Sequence, residues 1–308
     1  MAEMLYQRDV YGQTLVELGK KDPHVVVFDA DLSSSTRTCL FTKEFKNRFF
    51  NFGVAEQNMI AASAGMASCG KIVFLSTFAI FATGRAWDQV RNTVAYNNFN
   101  VKIVATHAGV SVGPDGASHQ ALEDITLMRI IPYMKIIVPA DGPQTRDAVL
   151  AAYQTPGPVY VRLGRPKVPT IEGKGAFKFG EAEILLEGND IAIIACGIMV
   201  TQALDAASSL KKEGVNCRVI NMHTVKPIDA SAIIKAARET KGIVVCEEHT
   251  IVGGLASAVD EVVAENHPAT VLRVGVRNRY GQSGEPDELL NEYKLSFKDI
   301  VDTCKKVL

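Results

Sequence analysis

The segment VKIVATHAGVSVGPDGASHQ, residues 101–120, decides the fold because an apolar strand runs directly into a polar, glycine-rich loop. Residues 101–105 are apolar except for Lys102 and include β-branched members, which is typical of a buried strand in a parallel sheet. In open α/β sheets, ligands bind beyond the carboxyl ends of such strands. We therefore expect His107, Asp115 and His119 to face one cavity. Three glycines suit a backbone that approaches a ligand closely: Gly109, Gly113 and Gly116.

Each polar side chain of this loop also has a structural explanation. A histidine that follows a strand is often only a hydrogen-bonded loop residue, and Asp-Gly is a common turn dipeptide. The spacing of His107, Asp115 and His119 would also allow them to converge on a metal ion. No third imidazole or thiolate lies nearby, which disfavours that reading. A substrate-binding loop and a metal site both stay open at this point.

Length and composition favour small-molecule and protein partners. A chain of 308 residues predicts two domains with ample core. The 33 basic and 34 acidic residues nearly cancel, so neither nucleic acid nor a membrane is expected as a partner. The first residues contain no apolar signal region, and we expect a cytoplasmic protein. The six scattered cysteines are expected to be reduced and structural.

Short β-branched runs alternate with helical patterns along the whole chain. This rhythm predicts an α/β fold of two domains, each with a mostly parallel sheet flanked by helices. Strands are expected at 24–28, 71–75, 101–106, 135–138 and 159–162, and helices at 5–19, 56–67, 81–96, 120–130 and 143–154. A segment rich in proline, glycine and lysine separates the domains, which gives the division 1–165, linker 166–182 and 183–308.

Two further segments of the first domain carry candidate residues. Glu56 in FGVAEQNM begins a helix rich in small residues. A glutamate in a first helical turn needs no other reason, because it complements the helix dipole by about 0.3–1 kcal/mol. In an apolar site, however, the same carboxyl group would exchange a proton with a heterocyclic nitrogen. Phe78 and Phe81 in STFAIF are either core residues or the aromatic walls of such a site.

Together these segments resemble the C-terminal half of transketolase, a thiamine-diphosphate enzyme. The resemblance covers nearly the whole chain, as a pyrimidine-binding domain followed by the C-terminal domain of that group. It implies that Glu56 hydrogen-bonds the aminopyrimidine ring and thereby activates the cofactor, with Phe78 and Phe81 around the ring. Its most specific element is the opening segment, with His107, Gly113, Asp115, Gly116, Ser118, His119 and Gln120.

The resemblance also implies sugar-phosphate substrates. Asp31 and Asp115 would bind substrate hydroxyls, and His119 would lie beside the oxygen that gains or loses a proton. Glu56, His107 and His119 are thus the expected catalytic residues. Taken singly, each of these residues has a structural alternative. Arg8 and Arg165 would then be solvated surface residues, and Asp31 would cap a turn. The positions that match phosphate-binding residues are Arg8, Ser35, His107 and Arg165.

Some positions depart from the transketolase pattern. Gln57 and Asn58 replace a His-Ala pair, and Gly84 stands where an aromatic residue often completes the pyrimidine pocket. Ala-Glu-Gln also occurs in deoxyxylulose-phosphate synthase and in beta subunits of 2-oxo-acid dehydrogenases, which remain alternatives. A non-catalytic α/β scaffolding module is an alternative of another class. Thr-His-Ala-Gly around His107 favours transketolase.

One family motif is absent from the sequence. Thiamine-diphosphate enzymes hold the diphosphate through Mg²⁺ on Gly-Asp-Gly and a later Asn, and this chain has no such pair. We therefore expect a split transketolase of the pentose phosphate pathway. Its N-terminal subunit would carry most of the Mg²⁺ and diphosphate site, and the subunits would self-associate into a heterotetramer.

Overall fold

The protein contains two β-sheets of mostly parallel strands with helices on their faces, which confirms the expected α/β class. The computed structural model describes residues 2–172 and 175–308. Residues 173 and 174, inside the expected linker, lie outside the described residues. Within the described ranges, no helix has the length and apolar character needed to cross a membrane.

Strands and helices alternate along the first half of the chain. Its strands are β1 (Met4–Tyr6), β2 (Val25–Asp29), β3 (Phe49–Asn51), β4 (Ile72–Ser76), β5 (Val101–Ala105), β6 (Lys135–Ile137), β7 (Val159–Arg162) and β8 (Lys167–Pro169). Its α-helices are α1 (Gln7–Lys21), α2 (Ser33–Thr36), α3 (Cys39–Glu44), α4 (Glu56–Ser68), α5 (Asp124–Arg129) and α6 (Gly142–Gln154). Between them lie 3₁₀ turns at Lys46–Arg48 and Val110–Asp115 and π-helical segments at Phe81–Arg85 and Gln89–Ala95.

The second half continues the same alternation. Its strands are β9 (Glu183–Leu186), β10 (Ile191–Ala195), β11 (Cys217–Asn221), β12 (Thr224–Lys226), β13 (Ile243–Thr250) and β14 (Val271–Val276). Its helices are α7 (Met199–Lys211), α8 (Ala230–Glu239), α9 (Leu255–Asn266), α10 (Pro286–Glu292) and α11 (Phe297–Lys305). Capping side chains define two of the helix starts, because Asp229 accepts from the Ala232 N–H and Ser296 forms a capping box with Asp299.

The second half of the chain contributes one strand to the first sheet. The first sheet has the order β12-β6-β7-β5-β4-β2-β3 and is parallel except for β12, which comes from the second half of the chain. The second sheet has the order β14-β13-β10-β11-β9, with only β9 antiparallel. A separate antiparallel pair joins β1 to β8.

A common hydrophobic core lies between the two sheets. It contains Phe28 and Ile103 of the first sheet and Ile194 and Val245 of the second, each with at most 1% exposure. Apolar burial contributes about 25 cal/mol for each Å² removed from water, so a core shared by both halves opposes their separation.

Strand order brings the expected site residues to one edge of the first sheet. The strands β7, β5, β4 and β2 are neighbours and run parallel, so their carboxyl ends lie together. The residues that follow these strands are Arg165, His107, Phe78 and Asp31. This is the edge where open α/β sheets bind ligands.

Two expected helices differ from those observed. The pattern at 81–96 forms two π-helical segments instead of one α-helix, and the first contains Gly84, a weak helix former. The pattern at 120–130 is helical only from Asp124, because Ala121 is held in a bridge to Ala108. The start of the expected linker also contains a strand, β8.

Candidate active site

Four of the expected site residues form an aromatic cluster at the carboxyl ends of β4 and β5. The His107 ring stacks on Phe78 with 3.8 Å between ring centroids and an interplanar angle of 19°. Phe81 lies parallel to Phe78 at 6.0 Å. His119 presents its ring edge-on to Phe81 at 5.3 Å. Both imidazoles therefore lie against Phe78, and His119 also lies against Phe81.

His107 is held in an unusual backbone conformation. Its φ is +59°, a region that few residues other than glycine adopt and that is often found at functional sites. The ring is 3% exposed, and its Nδ1 is 2.8 Å from the Thr106 hydroxyl. Burial, with the nearby charges of Arg8 and Arg165, lowers the pKa of His107 to about 3. The imidazole is consequently neutral at physiological pH.

Glu56 is the first residue of α4, and its side chain is 2% exposed. Its two carboxylate oxygens accept hydrogen bonds of 2.8 and 3.0 Å from Nη1 of Arg85. The Arg85 guanidinium also lies 4.5 Å above the centre of the Phe81 ring. Arg85 thus connects the buried carboxylate to the aromatic cluster. Arg85 was not among the residues expected from the sequence. Its position four residues after Phe81, which places both on one helical face, is the signal that would have indicated it.

A second part of the site is a cavity of about 490 Å³ beside the aromatic cluster. Three of its lining residues have cationic side chains: Arg8, Arg165 and Lys167. We call it the anion cavity. The Arg8 guanidinium and the Lys167 ammonium lie 4.8 and 5.2 Å from the centre of the Tyr6 ring. Other lining residues are Ser111, Pro114, Pro166, Glu285 and Pro286.

Two residues that line the anion cavity, Arg8 and Ser111, each have a buried polar side-chain atom. Nε of Arg8 and Oγ of Ser111 make no hydrogen bond with any described residue. An unpaired buried polar group costs about 1–3 kcal/mol, so these atoms suit a ligand with hydrogen-bonding oxygens. Ser35 lies close to this group, because its carbonyl accepts from Nη1 of Arg8 at 3.5 Å.

The two expected hydroxyl-binding carboxylates lie farther out. Asp31 has a φ of +65°, is exposed, and exchanges hydrogen bonds of 3.0 and 3.1 Å with Asn51. Asp115 is exposed at the end of the 3₁₀ turn. Within the described part of the chain, no hydrogen bond or ion pair joins either carboxylate to the aromatic cluster.

Family models account for both halves of the chain. The model "Transketolase, pyrimidine binding domain" matches residues 3–170, and "Transketolase, C-terminal domain" matches residues 180–300. The chain belongs to the transketolase family. This confirms the resemblance inferred from residues 101–120.

Individual transketolase relatives agree with the family models. A Methanocaldococcus jannaschii protein named as a transketolase C-terminal section is 50% identical over 95% of this chain and 93% of its own length. Human transketolase is 38% identical over 100% of this chain but only 50% of its own length. A solved structure described as a split-gene transketolase, inactive beta4 tetramer, has a TM-score of 0.90 and 47% identity, with 99% of each chain covered.

The family's cofactor, thiamine diphosphate, contains a planar aminopyrimidine ring that the residues of this chain fit. Glu56 offers a buried carboxylate to a ring nitrogen, and Phe78 and Phe81 offer parallel rings for stacking. Among residues 2–172 and 175–308, no three His, Cys, Asp or Glu side chains are grouped so that they would hold an ion.

Proposed function

We propose that this protein is one subunit of a transketolase that uses thiamine diphosphate to transfer a two-carbon ketol unit between a ketose phosphate and an aldose phosphate. One observation carries the proposal: a buried carboxylate linked to aromatic rings and a cationic cavity occupy the same edge of the sheet. The first suits the cofactor's pyrimidine, and the second suits the phosphate of a sugar.

Glu56 would bind the cofactor through a hydrogen bond to a pyrimidine nitrogen and would hold the proton exchanged there. When bound, thiamine diphosphate supplies the nucleophilic carbon that carries the ketol unit. Phe78 and Phe81 would orient the ring and exclude water. Because Arg85 contacts both oxygens of the carboxylate, Glu56 must share its hydrogen-bonding capacity with Arg85 or exchange partners.

The two histidines would act on the substrate. His107, neutral because of its low pKa, would bind a substrate oxygen without adding a positive charge to the buried cluster. His119 is less buried and would hold or move a proton at the substrate carbonyl or hydroxyl. Asp31 and Asp115 would bind hydroxyl groups farther along the sugar.

The anion cavity would hold the substrate phosphate. Arg8 and Arg165 present guanidinium groups, which stay charged and match phosphate oxygens in pairs. Ser35 and His107 would complete the site with hydrogen bonds. The unpaired Nε of Arg8 supports this assignment, because a phosphate oxygen would satisfy it.

The metal and most of the diphosphate site would belong to a partner, the N-terminal transketolase subunit. The absence of Gly-Asp-Gly from this sequence and the names of the related split-gene chains support a two-chain enzyme. We place the pyrimidine-binding domain at 1–165, the linker at 166–182 and the C-terminal domain at 183–308. The assembly would be a cytoplasmic heterotetramer of the pentose phosphate pathway.

Replacement of Glu56 tests the catalytic assignment. In the complex with the N-terminal subunit, we expect Glu56→Ala to reduce turnover of xylulose 5-phosphate with ribose 5-phosphate at least about 100-fold, because cofactor activation is lost. Glu17→Gln is the control, since Glu17 is an exposed residue of α1 whose ion-pair partner is Arg146. Unchanged activity in Glu56→Ala would overturn the assignment.

The choice of donor separates transketolase from its cofactor relatives. Turnover of xylulose 5-phosphate with a ribose 5-phosphate acceptor supports the proposal. Decarboxylation of pyruvate instead would identify a 2-oxo-acid dehydrogenase subunit or a synthase.

A further inference from the structure

The second half of the chain reaches the glycine-rich loop, residues 107–120, through one buried carboxylate. Glu248 lies near the end of β13 and is 3% exposed. Its Oε1 accepts a hydrogen bond of 2.5 Å from the backbone N–H of Ser111, a residue 137 positions earlier in the chain. Arg162 holds the Glu248 backbone by donating to its carbonyl at 2.9 Å. Hydrogen bonds therefore hold both the carboxylate and the backbone carbonyl of Glu248.

The loop is shaped around this carboxylate. A Cβ atom built on Gly109 would lie 2.1 Å from the carboxyl carbon of Glu248, and the φ of Gly109 is +85°. Only glycine leaves room for the contact and tolerates this backbone conformation without strain. Gly109 has thus an explanation in the position of Glu248.

The far end of the loop has a second contact with the C-terminal half. Nε2 of Gln120 donates to the carbonyl of Gln282 at 2.9 Å and to that of Val110 at 3.0 Å. A Cβ on Gly281 would lie 1.7 Å from Oε1 of Gln120, so the close approach again depends on glycine. The glycine-rich loop is therefore held against the C-terminal half at Ser111 and at Gln120.

The contact with Glu248 leads directly to the anion cavity. Ser111 lines that cavity together with Arg8 and Arg165. The next residue, Val112, accepts a hydrogen bond of 2.5 Å from Nη1 of Arg165 through its carbonyl. A chain of contacts thus runs from Glu248 through the Ser111 and Val112 backbone to the guanidinium of Arg165.

We propose that Glu248 is a positioning residue for recognition of the substrate phosphate, acting through Ser111 and Val112 on Arg165. This inference rests on the proposed function, because it assumes that the anion cavity binds phosphate. It gives the C-terminal domain a part in substrate binding. Burial raises the pKa of Glu248 to about 7, against the opposing effects of Arg162 and the Ser111 N–H.

The neighbouring residue Glu247 provides a control for a purely structural effect of replacing Glu248. Glu247 is equally buried, and its carboxylate accepts hydrogen bonds of 2.7 and 2.9 Å from the backbone of Leu255 and Ala256. These bonds cap α9 and are directed away from the glycine-rich loop. Loss of Glu247 would weaken the same domain without touching the anion cavity.

Steady-state kinetics of the two-subunit enzyme test the inference. One substrate pair is xylulose 5-phosphate with ribose 5-phosphate, and the other is hydroxypyruvate with glycolaldehyde, which lacks phosphate. We expect Glu248→Ala to raise KM for the phosphorylated pair at least about 10-fold while kcat and the unphosphorylated pair change less than about 2-fold. Glu248→Gln, which keeps an acceptor for Ser111, should restore most of the affinity. Equal losses for both pairs, or the same pattern in Glu247→Gln, would overturn the inference.

Direct binding of inorganic phosphate separates this inference from the proposed activity. The cationic residues that line the anion cavity in this chain are Arg8, Arg165 and Lys167, so calorimetry on the chain alone measures their binding of phosphate. We expect weaker phosphate binding in Glu248→Ala and in Gly109→Ala, which disturbs the same contact from the loop side, than in wild type. Equal binding in all three would overturn the positioning assignment alone. No binding by wild type would overturn the anion site and the inference with it.

Discussion

The carboxylate of Glu56 is almost fully buried, whereas the side chain of its partner Arg85 is 47% exposed. A buried charge that loses its only partner is left without compensation, and this costs far more than an exposed pair contributes. The pair therefore gives the buried carboxylate of Glu56 a cationic hydrogen-bond partner. Arg85 also lies over Phe81, so one side chain contacts two of the groups expected to hold the cofactor.

Replacement of Arg85 should show how much its hydrogen bonds to Glu56 contribute to the free energy of unfolding. We expect Arg85→Met to lower the free energy of unfolding by about 1–3 kcal/mol, because Glu56 loses both hydrogen bonds inside the protein. Arg146→Met is the matched control. Its partner Glu17 is 52% exposed, so the expected loss is below about 1 kcal/mol. Urea denaturation at one protein concentration gives both values, and equal losses would contradict this account of Glu56.

The protonation state of the His107 ring gives a second prediction for a single residue. Burial and the nearby Arg8 and Arg165 lower its pKa from 6.5 to about 3, so the fold favours the neutral imidazole. The resulting stability is complete above about pH 6.5 and is lost as the pH falls toward 3. An NMR titration should show no charging of the ring between pH 8 and 5, with His107→Asn used to assign its signal. A midpoint near 6.5 would contradict the burial.

At the scale of elements, β5 and the glycine-rich loop behave as the sequence indicates. The apolar run becomes a fully buried strand, and the residues after it enter the aromatic cluster. The segment after Phe81 behaves differently, because its helical pattern becomes two π-helical segments. Single-turn π segments often occur at functional sites. Here the first of them carries both Phe81 and Arg85 toward Glu56.

Local periodicity did not reveal elements whose pairing is long-range. The strand β12 has only three residues and joins a sheet formed mainly by the other half of the chain. The pair of β1 and β8 joins residues more than 150 positions apart, Met4 with Pro169. Such short strands are stabilised by their partners and contain too few residues for a periodic pattern.

At the scale of the whole molecule, the two halves meet at the site as well as in the core. The C-terminal half supplies Glu248 and Gln282 to the glycine-rich loop and Glu285 and Pro286 to the anion cavity. The anion cavity is therefore lined by residues from both halves of the chain. The loop that the sequence places in the first domain takes its shape from both.

Separation of the subunits tests the two-chain proposal. We expect the purified chain to have no transketolase activity and to bind thiamine diphosphate with Mg²⁺ weakly, because the family's Gly-Asp-Gly motif is absent. Addition of the N-terminal subunit should restore both properties. Activity assays and calorimetry on each subunit and on the mixture measure the difference. Strong turnover by this chain alone would refute the proposal.

Sequence patterns were sufficient to predict the fold class, the family and most of the candidate site residues. These follow from local information: a buried strand is apolar, a loop at its carboxyl end is polar, and the order of motifs along the chain is specific. Phe78, Phe81, His107 and His119 were named from such patterns and meet in one cluster.

Which polar groups lie together depends on the three-dimensional fold. The partners Glu56 and Arg85 are 29 residues apart, and Ser111 and Glu248 are 137 residues apart. Contacts of this kind depend on strand order and on close backbone approach at glycines, which leave no periodic trace in the sequence. The segment at residues 101–120 specified its own strand and loop, whereas the conformation of that loop required a carboxylate from the other half of the chain.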